Sequence, residues 1–228
     1  MQKRLVRKLD LEKAISEIET HPMPKAYLEQ YTIPTDVAAT MLYVVAYTYN
    51  DIVGKTVLDL GCGTGRLALG AAFLGAKQVV GVDIDKTAIR MTFENSVKTK
   101  LKNKVQWIAA DIGAVHGRFD TVLQNPPFGV QKRKADRKFL EKALEVGNSI
   151  YSLHKSLHKD KLFIKKLKAS GTNLMPVPPS PFLKGLIEGY GGKIKAVYAM
   201  LMTIPHMFRF HTKRKHEFMA DLYVIERM

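Results

Sequence analysis

The segment "LQNPPFGV" at residues 123–130 places an amide, two prolines and an aromatic ring directly after an apolar run. Proline fixes φ and has no N–H, so the two prolines end any strand ladder that reaches them. Each residue before a proline is held in extended backbone, which restricts both Asn125 and Pro126. The pattern predicts a site that needs a rigid carboxamide and a rigid backbone carbonyl.

A second candidate site lies in "VLDLGCGTGRLALG", where a strand passes through three glycines into a helix. Gly61, Gly63 and Gly65 allow a sharp turn and the close approach of a ligand. Their spacing, D-x-G-x-G-x-G, differs from the G-x-G-x-x-G of dinucleotide-binding proteins. Asp59 beside the turn would repel a phosphate, but it suits a ligand that carries an ammonium or sulfonium charge.

Two further acidic residues end predicted strands. Asp83 closes the second strand, where a carboxylate can accept hydrogen bonds from ribose hydroxyls. Asp111 follows the third strand, in position to accept from an adenine amino group. Glycines and acids at strand ends also occur in ordinary turns, but together with Asp59 they indicate a nucleoside ligand without phosphates.

Short apolar runs alternate with helical stretches along most of the chain. The predicted strands are 56–60, 78–83, 105–110, 119–124, 149–154, 194–203 and 217–225. The predicted helices in the same region are 64–74, 85–100, 136–147, 159–169 and 182–190. This alternation predicts a doubly wound α/β fold with helices on both faces of a mostly parallel sheet. No helix is predicted between the last two strands, so they are expected to be antiparallel neighbours.

The N-terminal part predicts two helices. Residues 1–20 carry apolar side chains at mostly helical spacing, which is typical of an amphipathic helix. Residues 36–49 predict a second helix, capped by Thr35 or Asp36.

We expect one domain over residues 1–228, with a helical cap at 1–50 and a Pro-rich loop at 170–181. That loop holds four of the ten prolines, so it cannot be a central strand or a helix interior. An ordered surface loop and a mobile arm both remain open as interpretations.

The charge balance is the most informative bulk property. The 228 residues carry a net charge of +15 and the isoelectric point is near 9.8, which favours a polyanionic partner such as nucleic acid. A merely solvated basic surface is the alternative, and a membrane surface is not favoured. The single cysteine, Cys62, excludes an internal disulfide and a multi-cysteine zinc site. No metal or membrane span is expected, and N-terminal charges interrupt any secretory-type stretch, so we expect a cytoplasmic protein.

The motifs "DLGCGTG", "GVDID", "AADI" and "NPPFG", in this order, resemble the Rossmann-like class I methyltransferases that use S-adenosylmethionine. Upstream "YLEQYTIPTDVAATMLY" and downstream "SIYSLHK" and "FRFHTKRK" narrow the resemblance to the archaeal and eukaryotic methyltransferase-like protein five family. It runs from about Tyr27 to the C-terminus. The resemblance implies a seven-stranded sheet with an antiparallel last strand, and formation of N(6)-methyladenosine in small-subunit rRNA. Eukaryotic members work with a small zinc-binding activator protein, which is therefore a possible partner.

By the same resemblance, Gln30 and a nearby threonine close over the cofactor. The family has that threonine two positions after Tyr31, where this chain has Ile33, and Thr32 or Thr35 is the candidate substitute. The expected cofactor-binding residues are Gln30, Thr32, Asp59, Gly61, Cys62, Gly63, Asp83, Ile84, Asp111, Ile112 and Asn125. We expect Cys62 to pack in the turn, because no histidine accompanies it as a nucleophile would require.

The expected catalytic residues are Asn125, Pro126, Pro127 and Phe128. An exocyclic amine conjugated to its ring is a poor nucleophile, because its lone pair is delocalised. If the Asn125 oxygen and the Pro126 carbonyl each accept one N–H, the nitrogen becomes more tetrahedral and its lone pair can face the methyl group. The two prolines supply rigidity, and the Phe128 ring can stack on a flipped base.

Basic residues interleaved with aromatics are the expected RNA-binding surface. The candidates are Lys132, Arg133, Lys134, Arg137, Lys138, Phe208, Arg209, Phe210, His211, Lys213, Arg214 and Lys215. An ordinary solvated charge run is the alternative. The histidines His154, His206, His211 and His216 have neither triad nor metal-site spacing, so we expect structural or RNA-facing roles.

Three other functions share parts of this pattern. Protein glutamine methyltransferases have an Asn-Pro-Pro-aromatic motif, usually with tyrosine as the aromatic residue, whereas this chain has Phe128. Methylation of a guanine amino group uses comparable chemistry. A non-catalytic RNA-binding assembly factor could retain the same fold.

Overall fold

The computed structural model describes residues 5–128, 135–158, 160–205 and 215–228. Within these ranges the chain forms eight strands: β1 Thr56–Leu60, β2 Gln78–Asp83, β3 Val105–Ala109, β4 Phe119–Gln124, β5 Gly147–Lys155, β6 Met175–Pro176, β7 Gly192–Pro205 and β8 Lys215–Arg227. They make one sheet in the order β3-β2-β1-β4-β5-β8-β7-β6. The pairs from β3 to β5 are parallel, and β8 pairs antiparallel with both β5 and β7.

Helices cover both faces of this sheet. They are α1 Lys8–Ser16, α2 Thr35–Tyr43, α3 Arg66–Phe73, α4 Lys86–Lys98, α5 Ala135–Val146, α6 Lys161–Ala169 and α7 Pro181–Gly189, with a π-helical turn at Val44–Thr48. In β1, Val57 packs in the core shared with α1, α2 and α3, whereas Leu58 and Leu60 pack in the core shared with α5 and α7. Because helices cover both faces of the sheet, a ligand can reach the central strands only at the ends of those strands.

The predicted fold class is confirmed: a doubly wound α/β sheet with an antiparallel last strand. The predicted count of seven strands is wrong, because Met175–Pro176 adds an eighth within the Pro-rich segment 170–181. This two-residue strand pairs with β7 at the edge of the sheet. Pro176 has no N–H to donate, and the edge is the position where a strand tolerates that loss.

The predicted N-terminal helix over 1–20 is too long. Among the described residues the helix spans Lys8–Ser16, and Leu5 and Leu9 are exposed while Leu11 and Ile15 are buried. The apolar spacing therefore marks the packed face correctly, but it extends further along the chain than the helix does. None of the described helices is long and apolar enough to cross a bilayer.

Strands β1 and β4 are neighbours, and from β1 the chain order runs towards β3 on one side and towards β5 on the other. At such a switch point the loops that leave neighbouring strands diverge, which opens a crevice outside the carboxyl ends of the strands. The glycine turn follows β1 and the Asn-Pro-Pro segment follows β4, so the fold brings the two candidate sites to the same crevice.

Candidate active site

A cavity of about 450 Å³ lies at the carboxyl ends of β1 to β4, a size common for small-molecule sites. All the residues expected to bind a cofactor line it: Gln30, Thr32, Asp59, Gly61, Cys62, Gly63, Asp83, Ile84, Asp111, Ile112 and Asn125. The fold therefore collects side chains from four strand ends and from the N-terminal segment around one volume. Their roles in binding stay predictions.

The glycine turn forms one wall of the cavity. Gly61, Gly63 and Gly65 all have positive φ, between 54° and 84°, which residues with a side chain rarely adopt. At Gly65 a Cβ would also lie 2.8 Å from Thr92 Cγ2 and 3.0 Å from Trp107 Cη2. Both backbone conformation and packing against α4 and β3 thus require glycine at this position.

The Asp59 carboxylate connects the end of β1 to the start of α3, on either side of the glycine turn. Its Oδ2 accepts a hydrogen bond of 2.9 Å from the Ala68 backbone N–H in the first turn of α3. Asp59 is 1% exposed, and this burial raises the pKa of its carboxyl group to about 7. Asp59 can therefore change its charge near neutral pH, and a cationic ligand in the cavity would favour its ionised form.

Asp83 is held by backbone donors on both oxygens. Oδ2 accepts from Gly63 N at 2.9 Å and Oδ1 accepts from Asp85 N at 2.9 Å. Burial raises the pKa of Asp83, although these two hydrogen bonds act in the opposite direction. Asp111 is more exposed and accepts from Gly113 N at 2.8 Å. Two carboxylates at neighbouring strand ends thus have orientations set by the backbone.

The N-terminal segment closes the cavity through Asp85, the N-cap residue of α4. Gln30 Nε2 donates to Asp85 Oδ2 at 2.9 Å, and Lys25 Nζ donates to Asp85 Oδ1 at 3.1 Å. Burial raises the pKa of Asp85, but these hydrogen bonds outweigh burial and lower it to about 2. Asp85 is therefore an ionised anchor for the segment that carries Gln30 and Thr32.

Thr32 and Thr35 were the two candidates for the missing family threonine. Thr32 lines the large cavity, whereas Thr35 is the first residue of α2 and lines a second, neighbouring cavity. Thr32 is thus the better placed of the two.

Asn125 stands at the end of β4 and lines the large cavity. Its Oδ1 atom is buried and has no hydrogen-bond partner in the described part of the chain. Pro127 also lines the cavity, and Pro126 between them is buried. A buried amide oxygen without a donor is costly, so this position favours a ligand that brings an N–H.

Phe128 lies in an aromatic cluster with Tyr31 and Phe218. Its ring centroid is 5.5 Å from that of Tyr31 and 5.6 Å from that of Phe218, where the two planes are almost perpendicular. The Tyr31 hydroxyl is buried, has no partner among the described residues, and burial raises its pKa. The three rings come from the N-terminal segment, the β4 loop and β8. Tyr31 lines the same cavity as Asn125, whereas Phe128 and Phe218 are not among its lining residues.

Most of the expected RNA-binding residues lie outside the described ranges: Lys132, Arg133, Lys134, Phe208, Arg209, Phe210, His211, Lys213 and Arg214, and also the side chain of Lys215. Two candidates are described. Lys138 is exposed and lines the mouth of the cavity, and the Arg137 guanidinium lies 4.4 Å from the centroid of the Phe182 ring. RNA binding stays a prediction for the whole set.

Two reactive-looking side chains are packed into the structure. Cys62 is buried in the glycine turn, and burial raises the pKa of its thiol, so it stays protonated at neutral pH. His154 is buried with Nε2 2.8 Å from Ser152 Oγ, and burial lowers its pKa to about 4, which fits the structural role. His206 and the side chain of His216 lie outside the described residues, which contain no cluster suited to a metal ion.

Known proteins resemble the chain over different lengths. A family model, ribosomal protein L11 methyltransferase (PrmA), matches residues 38–126, less than half of the chain. The Methanocaldococcus jannaschii protein MJ0284 is 37% identical and the match covers 98% of this chain and 96% of that protein. The rRNA N(6)-adenosine-methyltransferase METTL5 of Danio rerio is 32% identical, with 93% of this chain and 95% of that protein covered. The chain belongs to the METTL5 family.

A solved structure agrees with this assignment. The crystal structure of PH1948, a candidate RNA methyltransferase of Pyrococcus horikoshii, matches with a TM-score of 0.81 and 33% identity, covering 99% of this chain and 100% of that one. Similarity to METTL5 extends through the antiparallel strands, whereas the PrmA match stops at Pro126 and so covers mainly the glycine-turn half.

Several lining residues were not found from the sequence. They are His21, Tyr27, Leu28, Glu29, Tyr31, Ile33, Thr64, Arg66, Leu67, Ala135 and Phe139. Asp85, which holds the N-terminal segment but is not among the lining residues, was also missed, although an Asp before "KTA" is a common helix N-cap. For Phe139 the i, i+4 spacing with Ala143 indicated a packed position, but not that its ring would lie against Gly61.

Proposed function

We propose that this METTL5-family protein transfers a methyl group from S-adenosylmethionine to N6 of an adenosine in rRNA, with small-subunit rRNA as the expected substrate. The observation that carries the proposal is the buried Asn125 Oδ1, which lacks a donor among the described residues and belongs to a side chain that lines the cavity. The family's curated METTL5 members are named as rRNA N(6)-adenosine methyltransferases, which supports the same substrate atom.

The cavity has the polarity that a nucleoside cofactor requires. Asp83 and Asp111 present carboxylates whose orientation is set by backbone N–H groups, which suits ribose hydroxyls and an adenine amine. Asp59 offers negative charge near the glycine turn, which suits a cation. When bound, S-adenosylmethionine supplies an electrophilic methyl group on a positively charged sulfur.

Asn125 and Pro126 would then hold the amine that accepts the methyl group. One N–H of the adenine donates to Asn125 Oδ1 and the other to the Pro126 carbonyl oxygen, so the nitrogen lone pair turns out of the ring plane. Held in this way, the amine nitrogen would be placed to take the methyl group that the cofactor would supply, the cofactor would leave as its neutral thioether, and the amine would lose its surplus proton to water. No side chain has to act as a base in the transfer, because the acceptors are fixed dipoles.

The neighbouring rings would receive the adenine itself. Phe128 follows Pro127 directly, and it packs with Tyr31 and Phe218 beside the same strand end. Stacking of one base on an aromatic side chain contributes about 1–3 kcal/mol, comparable to the free energy of taking a base out of a stack.

The proposal is tested by incubating the purified protein and labelled S-adenosylmethionine with small ribosomal subunits from cells of the source organism that lack the gene. We expect the label to appear as N(6)-methyladenosine when the rRNA is digested to nucleosides and analysed by mass spectrometry. Reactions without enzyme and with large subunits serve as controls. Label in methylglutamine or in N2-methylguanosine would replace this function by one of its two enzymatic rivals. Absence of transfer to any fraction, also after an extract of the same cells is added to supply an activator protein, would support the assembly factor.

The same reaction tests two related proposals. By resemblance to the eukaryotic members, we propose a small zinc-binding activator protein as a partner. Full turnover by the purified chain alone would argue against the need for that partner. We also propose a cytoplasmic site of action, supported by the rRNA substrate and by the single, buried cysteine.

A further inference from the structure

Arg66 is a buried cation at the junction of two cavities. It is the first residue of α3 and lines both the large cavity and a second one of about 380 Å³. Only 8% of Arg66 is exposed.

The guanidinium group has few partners within the described part of the protein. Nη1 donates to the Ile33 carbonyl oxygen and Nη2 donates, at 3.4 Å, to the Ile18 carbonyl oxygen. Nε is buried without a partner, and no carboxylate of the described residues forms an ion pair with Arg66. A guanidinium has five N–H donors, so several remain unused.

Burial lowers the pKa of Arg66 to about 10, so the group is still positively charged at neutral pH. A buried charge is stable only when an opposite charge or several hydrogen bonds compensate for the lost water. Two carbonyl oxygens supply part of that compensation. An anion bound in the adjoining cavity would supply the rest.

Asp59 lines the same cavity as Arg66 and lies seven positions earlier in the chain, across the glycine turn. The Asp59 carboxylate accepts from Ala68 N, two residues after Arg66, so a carboxylate and the first turn of the helix that carries the guanidinium adjoin at the wall of one cavity. A ligand with a free α-amino-acid group has an ammonium that can pair with Asp59 and a carboxylate that can pair with Arg66. A phosphodiester has only negative charge and would be repelled by Asp59.

We propose that Arg66 binds the α-carboxylate of the methionine part of S-adenosylmethionine, while Asp59 faces its ammonium group. This assignment rests on the proposed function. The nucleoside part then lies towards Asp83 and Asp111, and the methyl group lies towards Asn125. Arg66 is the residue that would distinguish the complete cofactor from its nucleoside fragment.

The test uses two ligands that differ only in the amino-acid part. S-adenosylhomocysteine carries it, and 5′-methylthioadenosine has the same nucleoside and a thioether without it. Isothermal titration calorimetry gives the Kd of each ligand for the wild type, Arg66→Gln and Arg66→Lys. We expect Arg66→Gln to raise the Kd of S-adenosylhomocysteine by about 10–150-fold, the range of a charge-assisted hydrogen bond, and to leave the Kd of 5′-methylthioadenosine unchanged. Arg66→Lys should raise the Kd of S-adenosylhomocysteine less than Arg66→Gln does.

Arg90→Gln, the same change at an exposed position on α4, is the matched control. Equal losses for both ligands in Arg66→Gln would overturn the proposal, because Arg66 would then only hold the segment with Ile18 and Ile33. Unchanged Kd values for S-adenosylhomocysteine together with weaker RNA binding would assign Arg66 to an RNA phosphate instead. If the wild type binds neither ligand, the proposed function itself fails, which is a different result from either of these.

Discussion

The carboxylates at one end of the cavity and the amide oxygen at the other end differ in whether the protein supplies their hydrogen-bond donors. At the glycine-turn end, Asp59 and Asp83 accept hydrogen bonds from backbone N–H groups, and Asp85 beside them is bonded to Thr87 N, Lys25 and Gln30. At the β4 end, the Asn125 Oδ1 atom is also buried but accepts no hydrogen bond from the described residues. The carboxylates at the glycine-turn end are thus paired by the protein's own groups, whereas the Arg66 guanidinium there and the Asn125 oxygen at the β4 end keep hydrogen-bonding capacity that the described residues do not use.

The difference indicates that the hydrogen bonds of the carboxylates stabilise the fold, whereas the unpaired Asn125 oxygen serves the function. A buried acceptor without a donor costs about 1–3 kcal/mol, and a fold selected for stability alone would remove it. Asp83, which accepts from two backbone donors, has a single orientation before a ligand arrives, and Asp59 and Asp111 each have one backbone donor. The cofactor end is therefore preorganised, and the Asn125 end gains its hydrogen bonds only with substrate.

The largest effect should come from removing the unpaired acceptor. In Asn125→Ala we expect kcat to fall by at least about 100-fold, similar to the loss of one fixed dipole at other active sites, because the amine would no longer be reshaped. The Kd of S-adenosylhomocysteine should change only a few-fold. Single-turnover methylation of an rRNA fragment and calorimetry measure the two values.

Asn148→Ala is the control for that truncation, because Asn148 is exposed near the start of β5, at the opposite edge of the sheet. An Asn125→Ala enzyme with near-normal kcat would show that Asn125 Oδ1 is not the acceptor that holds the amine for methyl transfer.

A smaller effect is expected from the aromatic cluster beside Asn125. Phe128→Leu should raise the KM for RNA by about 5–150-fold, the equivalent of 1–3 kcal/mol of lost stacking, with the Kd of S-adenosylhomocysteine unchanged. Steady-state kinetics with an rRNA fragment measures the change. Phe93→Leu on the exposed face of α4 is the matched control. A weaker cofactor affinity without a change in KM for RNA would place Phe128 with the cofactor end.

The smallest effect concerns the charge of Asp59. Its pKa of about 7 in the free protein lies above the value of about 3.9 in an unfolded chain. The stability that its protonated form contributes is thus fully present below about pH 3.9 and is lost as the pH rises through 7. A cationic ligand favours the ionised form, so binding S-adenosylhomocysteine at pH 6 should release close to one proton.

Calorimetry in buffers with different ionisation enthalpies counts that proton, and the affinity should rise up to about tenfold per pH unit below 7. Asp59→Asn can still accept from Ala68 N and should abolish both effects. Asp83 has a raised pKa as well, so proton release that persists in Asp59→Asn would transfer the titration to Asp83.

Much of the cavity could be predicted because its residues lie in short motifs at strand ends. Asp59, Asp83, Asp111 and Asn125 each follow an apolar run, and parallel strands bring such positions to one edge. The extra strand β6 could not be predicted, because two residues with a proline carry no periodic signal. Gln30 was found only through the resemblance to a family.

The residues missed by sequence reasoning have partners far away along the chain. His21 lies 3.3 Å from Asp85, and Tyr31 contacts Phe218 nearly two hundred positions later. Local spacing gives no information about such pairs. The burial of Arg66 is a similar case, since the first residue of a helix is normally exposed.

The sequence by itself determined the alternation of strands and helices, the glycine turn and the rigid Asn-Pro-Pro segment. These follow from hydrophobic periodicity and from the restricted backbone of glycine and proline, which act within a few residues. Only the tertiary structure decided that Asp85 anchors the N-terminal segment and that, among the described residues, no donor reaches the buried Asn125 Oδ1 and no carboxylate pairs with the buried Arg66. Burial, pairing and pKa depend on groups brought together from distant parts of the chain, so they are set when the elements pack.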